Sequence, residues 1–287
     1  MRSARLHLSL WLAIIAAILA GDPARAADRW LTTSDGVRLH LLVEGAPTAP
    51  PILFVPGWAM PGWIWKGQLD TFSPRFRTVA LDPRGQGSSD VPEAGYTYRR
   101  RGQDIAEVVR ALGPRRVLLV GWSLGVLDEL AYVHEYGDGA LAGLVLVDNS
   151  VGEPPPRVSA APPRPRTPAE RVEQTRRFVA SMFHRDPGPA YLDALAAAAL
   201  RLPPGPAAAL LAYPVPRSFW REAVLSVRKP VLYVVRPRLA AQAVNLAADS
   251  PTAETRVFAD AGHALFIDDA ARFDAVLADF IARRVRW

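Results

Sequence analysis

The 287-residue chain contains no cysteine. Disulfide staples and a thiol-linked lipid are therefore excluded, and stability must come from packing, although an oxidising compartment is tolerated. Lysine is nearly absent as well: Lys66 and Lys229 are the only two, and arginine supplies the rest of the 34 basic side chains. No dense basic run is interleaved with aromatics, so the net charge of +6 reads as a solvated basic surface and argues against a nucleic-acid partner. No cluster of His and carboxylates has ligand spacing, which argues against a resident metal. The apolar run Leu6 to Ala20, interrupted by His7 and Ser9, falls short of the ~20 residues a bilayer span needs.

What the first residues do carry is an export signal. Arg2 and Arg5 give a positive start, the apolar run follows, and Ala24, Arg25 and Ala26 form an A-x-A site, so a signal peptide over 1–26 cleaved after Ala26 is predicted. Its removal takes away three arginines and Asp22, leaving +4 of the +6. The mature chain is then exported, periplasmic or secreted, with no stable membrane anchor.

Half of the residues are hydrophobic, enough for a sizeable core. Short apolar runs alternate with helix-like segments, which predicts an α/β fold with a mostly parallel sheet covered on both faces. The expected strands are Val37–Val43, Ile52–Val55, Thr78–Leu81, Val117–Val120, Leu144–Val147, Val231–Val235 and Thr255–Phe258. From Val151 to Arg228 no strand pattern appears and proline is dense. This stretch is read as a helical lid, 151–228, inserted into a core made of 27–150 and 229–287. Its first helix is expected to open with Thr167 as N-cap, Pro168 at the first position and Glu170 in the first turn.

Gly121, Trp122, Ser123, Leu124 and Gly125 form G-x-S-x-G between a strand and a helix. Glycines there let the backbone turn sharply enough to lift a serine Oγ clear of the sheet, which makes Ser123 the candidate nucleophile. A serine nucleophile needs a base, a group that orients the base, and oxyanion donors. Of the five histidines, His263 alone lies in a loop between the last strand and the last helix, where it can reach across the top of the sheet. The oxyanion donors are expected from the backbone N–H groups of Trp58, in the turn Pro56-Gly57-Trp58-Ala59, and of Leu124. The loop of Asp82, Arg84, Gly85, Gly87 and Ser88 is read as a brace under the site.

With Gly57-Trp58, the Asp82 loop, the Ser123 turn and the Gly262-His263 loop in place, the chain resembles the α/β-hydrolase superfamily, in its lidded, esterase-like and peroxidase-like branch, over nearly the whole mature length. That resemblance implies serine catalysis without a cofactor and says little about substrate. Members with an aspartate nucleophile are disfavoured by Ser123. One departure stands out. The family usually places its acid after the seventh strand, where this chain reads Arg236-Pro237-Arg238-Leu239, and an arginine cannot orient an imidazole N–H. Some members carry the acid after the sixth strand, which points here to Asp148; a carboxylate capping the entrance to the lid is the competing reading. Trp58 and Trp122 flank the catalytic backbone and are expected to wall an apolar substrate pocket, while Arg171, Arg176 and Arg177 of the lid are read as a solvated helix face. The expectation is an exported serine hydrolase cleaving a small, largely apolar carboxylic ester through an acyl-enzyme. Perhydrolysis, C–C bond hydrolysis and a noncatalytic binding role on the same fold are the alternatives.

Overall fold

The computed structural model describes residues 27–154 and 167–287. The expected signal peptide, 1–26, lies outside them, as does 155–166 of the proline-rich stretch. Eight strands form one sheet: β1 (Ala27–Thr32), β2 (Arg38–Glu44), β3 (Pro51–Val55), β4 (Arg77–Asp82), β5 (Val117–Trp122), β6 (Leu141–Val147), β7 (Val231–Val235) and β8 (Ala253–Val257). Their spatial order is β1-β2-β4-β3-β5-β6-β7-β8. β2 runs antiparallel to both β1 and β4, and the remaining pairs are parallel. Every residue of β3, β5, β6 and β7 is buried. These strands therefore read as unbroken apolar runs, the pattern of a parallel sheet covered on both faces.

The helices that follow the strands are α1 (Lys66–Phe72), α2 (Tyr98–Ala111) and α3 (Leu124–Tyr136), then α4 (Pro168–Ala180), α5 (Pro189–Leu200), α6 (Pro204–Ala209) and α7 (Arg217–Ser226) between β6 and β7, and finally α8 (Ala240–Asp249), α9 (Leu265–Asp268) and α10 (Ala270–Arg284). Helix α4 opens on a capping box: Thr167 Oγ1 accepts from the Glu170 N–H, and the Glu170 carboxylate accepts from the Thr167 N–H. No strand interrupts α4 to α7 among the described residues.

One strand escaped the sequence reading. β1 has the sequence ADRWLT, is exposed along most of its length, and pairs only with β2, so it carries neither an apolar run nor a clean alternation. Its place is set by partners. The ring of buried His40, on β2, is held between Asp82, 2.8 Å from Nδ1, and Asp28 of β1, 3.0 Å from Nε2.

The sheet positions the site through its connectivity. β3 has β4 on one side and β5 on the other, so the loops leaving the carboxyl ends of β3 and β5 diverge and open a crevice between them. Under that crevice, Glu129 of α3 fills the space left by the missing side chain of Gly121: a Cβ there would lie 2.5 Å from the Glu129 carboxyl carbon. Neither Glu129 oxygen has a hydrogen-bond partner among the described residues. Burial, with the charge of Asp128 added, pushes this carboxyl well above the ordinary glutamate value of 4.5.

The folded chain thus keeps a proton that the unfolded chain releases, so Glu129 makes stability fall as pH rises above about 4.5, until the folded value is passed. Glu129→Gln is expected to match the native protein in urea unfolding near pH 4.5 and to exceed it at pH 8. The gain is about 1.4 kcal/mol for each unit separating the folded and unfolded values. Equal unfolding midpoints at pH 8 would contradict a buried neutral carboxyl.

Candidate active site

Strand β5 ends at Trp122 and α3 begins at Leu124, which leaves Ser123 alone to make the turn, at φ 54° and ψ −118°. A side-chain-bearing residue held there costs about 1–3 kcal/mol and persists only when its surroundings enforce it. The enforcement is visible. The Ser123 N–H donates to the Val147 carbonyl at 2.9 Å, and the Ser123 carbonyl accepts from Asn149 Nδ2 at 2.7 Å. Close approach of the backbone needs the flanking glycine, since a Cβ on Gly125 would sit 2.5 Å from the Val55 carbonyl oxygen.

His263 arrives on the loop between β8 and α9, and its Nε2 lies 2.8 Å from Ser123 Oγ. Its Nδ1 lies 2.6 Å from Oδ2 of Asp148, at the end of β6. An ionised carboxylate only accepts, so Nδ1 carries the ring proton and Nε2 turns a lone pair to the serine hydroxyl. The structure thus brings Ser123, His263 and Asp148 into one hydrogen-bonded chain.

Asp148 is itself clamped. Its side chain has no exposed surface, and besides His263 it accepts from the Arg236 N–H at 3.0 Å and from Arg236 Nε at 2.6 Å. Burial alone would raise this carboxyl; the hydrogen bond and charge of His263, with Arg236 close by, instead hold it below the ordinary aspartate value. Arg236 Nη2 is 3.4 Å from His263 Nδ1, a contact of two donors rather than a hydrogen bond. The arginine that stands where a family acid is usual therefore grips an acid delivered by the neighbouring strand. Sequence reasoning missed this role, because an arginine there reads only as a replacement for the acid, and its hold on Asp148 is set by the pairing of two neighbouring strands.

The Trp58 turn faces the serine closely: a Cβ on Gly57 would fall 3.0 Å from the Ser123 Cβ. In that turn the Ala59 N–H donates to Gln86 Oε1 at 2.6 Å and the Met60 N–H to the Gly57 carbonyl at 3.2 Å, leaving the Trp58 N–H without an acceptor among the described residues. Leu124 opens α3, where no earlier helical carbonyl exists to take its N–H. Gln86 also donates to the carbonyls of Gly57 and Met60, each at 3.2 Å, so the Asp82 loop shapes the turn through a glutamine the sequence reading passed over.

A cavity of about 350 Å³ opens beside the serine, lined by Phe178, Met182 and Leu239 on its apolar side and by Asn149, Ser150, Ser181, Arg236 and Arg238 on its polar side. Neither tryptophan expected there is part of its lining. Trp122 is fully buried behind the site: its Nε1 donates to the His263 carbonyl at 2.8 Å, and its ring packs on His263 and Phe266. Trp58 turns its indole to the inserted helices, donating to the Ala207 carbonyl at 2.8 Å and meeting Phe178 edge-on. Trp122 thus lies in the core, while Trp58 is half-buried against the inserted helices. Of the α4 arginines, Arg171 donates to the carbonyls of Leu200 and Leu202, while Arg176 and Arg177 are exposed and pair with Asp193 and Glu173.

Asp268 joins the insertion to the His263 loop. Its carboxylate accepts from the N–H groups of Gly262 at 2.6 Å, His184 at 2.8 Å and Arg185 at 3.0 Å. Among the described residues no group of three or more His, Asp or Glu side chains is arranged to hold a metal ion.

Comparison with known proteins agrees with this geometry at the level of family and fold. Residues 52–276 match the model of the alpha/beta hydrolase family. Among curated proteins, a 117-residue stretch is 35% identical to epoxide hydrolase 3 of Xenopus tropicalis, covering 36% of this chain and 32% of that one. Another of 118 residues is 33% identical to a non-heme chloroperoxidase of Streptomyces lividans, covering 41% and 43%. The chain thus matches less than half the length of these relatives. Among solved structures, a putative aryl esterase from Burkholderia cenocepacia superposes with a TM-score of 0.80 at 26% identity, over 89% of this chain and 98% of that one. A bromoperoxidase from Bacillus anthracis, at 18% identity over 89% and 100%, shares the fold with a TM-score of 0.73. With its sheet order, its serine turn and a family match over most of its length, the chain belongs to the alpha/beta hydrolase family.

Proposed function

We propose that the protein is an exported serine hydrolase that cleaves a small carboxylic ester through an acyl-enzyme. The observation that carries this reading is the continuous chain from Ser123 Oγ through His263 to Asp148, at 2.8 and 2.6 Å. In the first half-reaction Ser123 Oγ attacks the ester carbonyl carbon while His263 Nε2 takes the hydroxyl proton. The carbonyl oxygen becomes an oxyanion facing the Trp58 and Leu124 N–H groups. Collapse of that intermediate breaks the bond to the alcohol oxygen, which leaves with the proton from His263, and the acyl group stays on Ser123. Water then repeats the sequence, giving its proton to His263 and its oxygen to the acyl carbon, and the acid departs as Ser123 recovers its hydrogen. Asp148 keeps the imidazole in the required tautomer and offsets the charge it gains.

The acyl or alcohol part would rest against Phe178, Met182 and Leu239. The described helices between β6 and β7 act in this reading as a lid over the cavity, Phe178 and Met182 being its contribution. Export rests on the N-terminal sequence alone.

A fluorophosphonate probe is expected to label the native protein on Ser123 and to leave Ser123→Ala unlabelled; labelling elsewhere, or none on folded protein, would end the proposal. Asp148→Asn should keep the fold but lower kcat on an activated ester by about 10⁴, which corresponds to roughly 5.4 kcal/mol of barrier. Near-native turnover in that variant would show that another group orients His263. Expressed in a Gram-negative host, the exported protein should begin at Ala27 on N-terminal sequencing, and a chain still starting at Met1 would refute signal cleavage.

A further inference from the structure

The polar groups around the cavity differ in how much of their bonding capacity is already used. Asn149 is engaged on every side: Nδ2 donates to the Ser123 carbonyl, Oδ1 accepts from the Ser150 N–H, and its carbonyl accepts from the Tyr233 hydroxyl. Ser150 Oγ donates to the Glu153 carbonyl and Ser181 Oγ to the Phe178 carbonyl. Arg236 gives its backbone N–H and Nε to Asp148, and Asp148, the only carboxylate among the described lining residues, is saturated by Arg236 and His263. Arg238 is the exception. It lines the cavity, is exposed, and has no hydrogen bond or ion pair with any described residue.

The backbone that carries Arg238 is nonetheless fixed. It sits in a one-turn 3₁₀ helix, Pro237–Leu239, between Arg236, whose N–H is bound to Asp148 at 3.0 Å, and Leu239, which is buried and donates to the Arg236 carbonyl at 3.0 Å. Proline at the first position limits the turn further. A guanidinium carried on a fixed backbone, unpaired among the described residues and lining a cavity with a second arginine and one neutralised carboxylate, suits an anion. Its planar fork matches a single carboxylate.

We propose that the substrate is an ester bearing a second, ionised carboxylate, and that Arg238 binds this group while Ser123 attacks the ester carbonyl. The proposal rests on the serine hydrolase reading and sharpens its substrate from a largely apolar ester to an amphipathic one. The aliphatic part lies along Phe178, Met182 and Leu239, and the charged end at the mouth. Arg238 is thus a specificity-determining residue, away from the bonds that form and break.

The test compares isosteric esters in a pH-stat: monomethyl adipate against methyl hexanoate, and 4-acetoxybenzoate against 4-acetoxybenzamide, which place the carboxylate on the acyl and alcohol sides. In one of the two pairs kcat/KM for the anion should exceed that for the neutral ester by about 10–100-fold, the range expected of a charge-assisted hydrogen bond. Arg238→Gln should bring that ratio to about one, chiefly through KM for the anion, and Arg238→Lys should keep part of it. Adipate should slow fluorophosphonate labelling of Ser123 in the native protein and have less effect on Arg238→Gln. Hydrolysis of all four esters without preference for either anion, with Ser123 still labelled, overturns the proposal and leaves the hydrolase reading standing. Absence of labelling and of hydrolysis in folded protein overturns both.

Discussion

A carboxylate without exposed surface keeps its charge only where donors converge on it, and the whole site is arranged around the place where they converge on Asp148. Two elements deliver those donors: the Arg236 backbone and guanidinium from the end of β7, and the His263 ring from the loop after β8. Because Asp148 closes β6, the carboxylate ties three successive parallel strands together at their carboxyl ends. Removing the Arg236 side chain would leave a buried anion without its Nε hydrogen bond and its counter-charge. Removing Asp148 would bring a guanidinium and an imidazole face to face.

Backbone strain is concentrated at the same edge. Three non-glycine residues among those described have positive φ: Ala59, Ser123 and Asp148, at 60°, 54° and 51°. They follow β3, β5 and β6 respectively. Each belongs to a loop that turns back over the crevice to present a backbone N–H, a hydroxyl or a carboxylate to the same point. The buried sheet supplies the stability that offsets the cost of holding them there.

The parts of this arrangement that follow local rules were legible in the sequence. The serine turn needs small residues at fixed offsets, the β strands of the covered sheet are unbroken apolar runs, and Thr167, Pro168 and Glu170 announce a helix start. What the sequence could not convey is set by contacts between distant segments. β1 is a strand because β2 offers it hydrogen bonds and Asp28 meets His40, and nothing in its own composition says so. Trp122 was read from its place beside Ser123 as a pocket wall, yet a strand residue's side depends on which sheet face is covered. Arg236 and Arg238 looked alike in sequence. Only packing shows one locked onto Asp148 and the other left unpaired among the described residues.

Asp268 carries a consequence for motion. The three N–H groups it holds come from both sides of a seam, Gly262 from the loop bearing the base and His184 and Arg185 from the inserted helices. Since the carboxylate is buried, moving the inserted helices away at this end would leave it with fewer donors and loosen its hold on the Gly262 N–H beside the imidazole. Under the proposed function, the same carboxylate couples the standing of the base to the seating of the inserted helices: parting the two along this seam would loosen both at once.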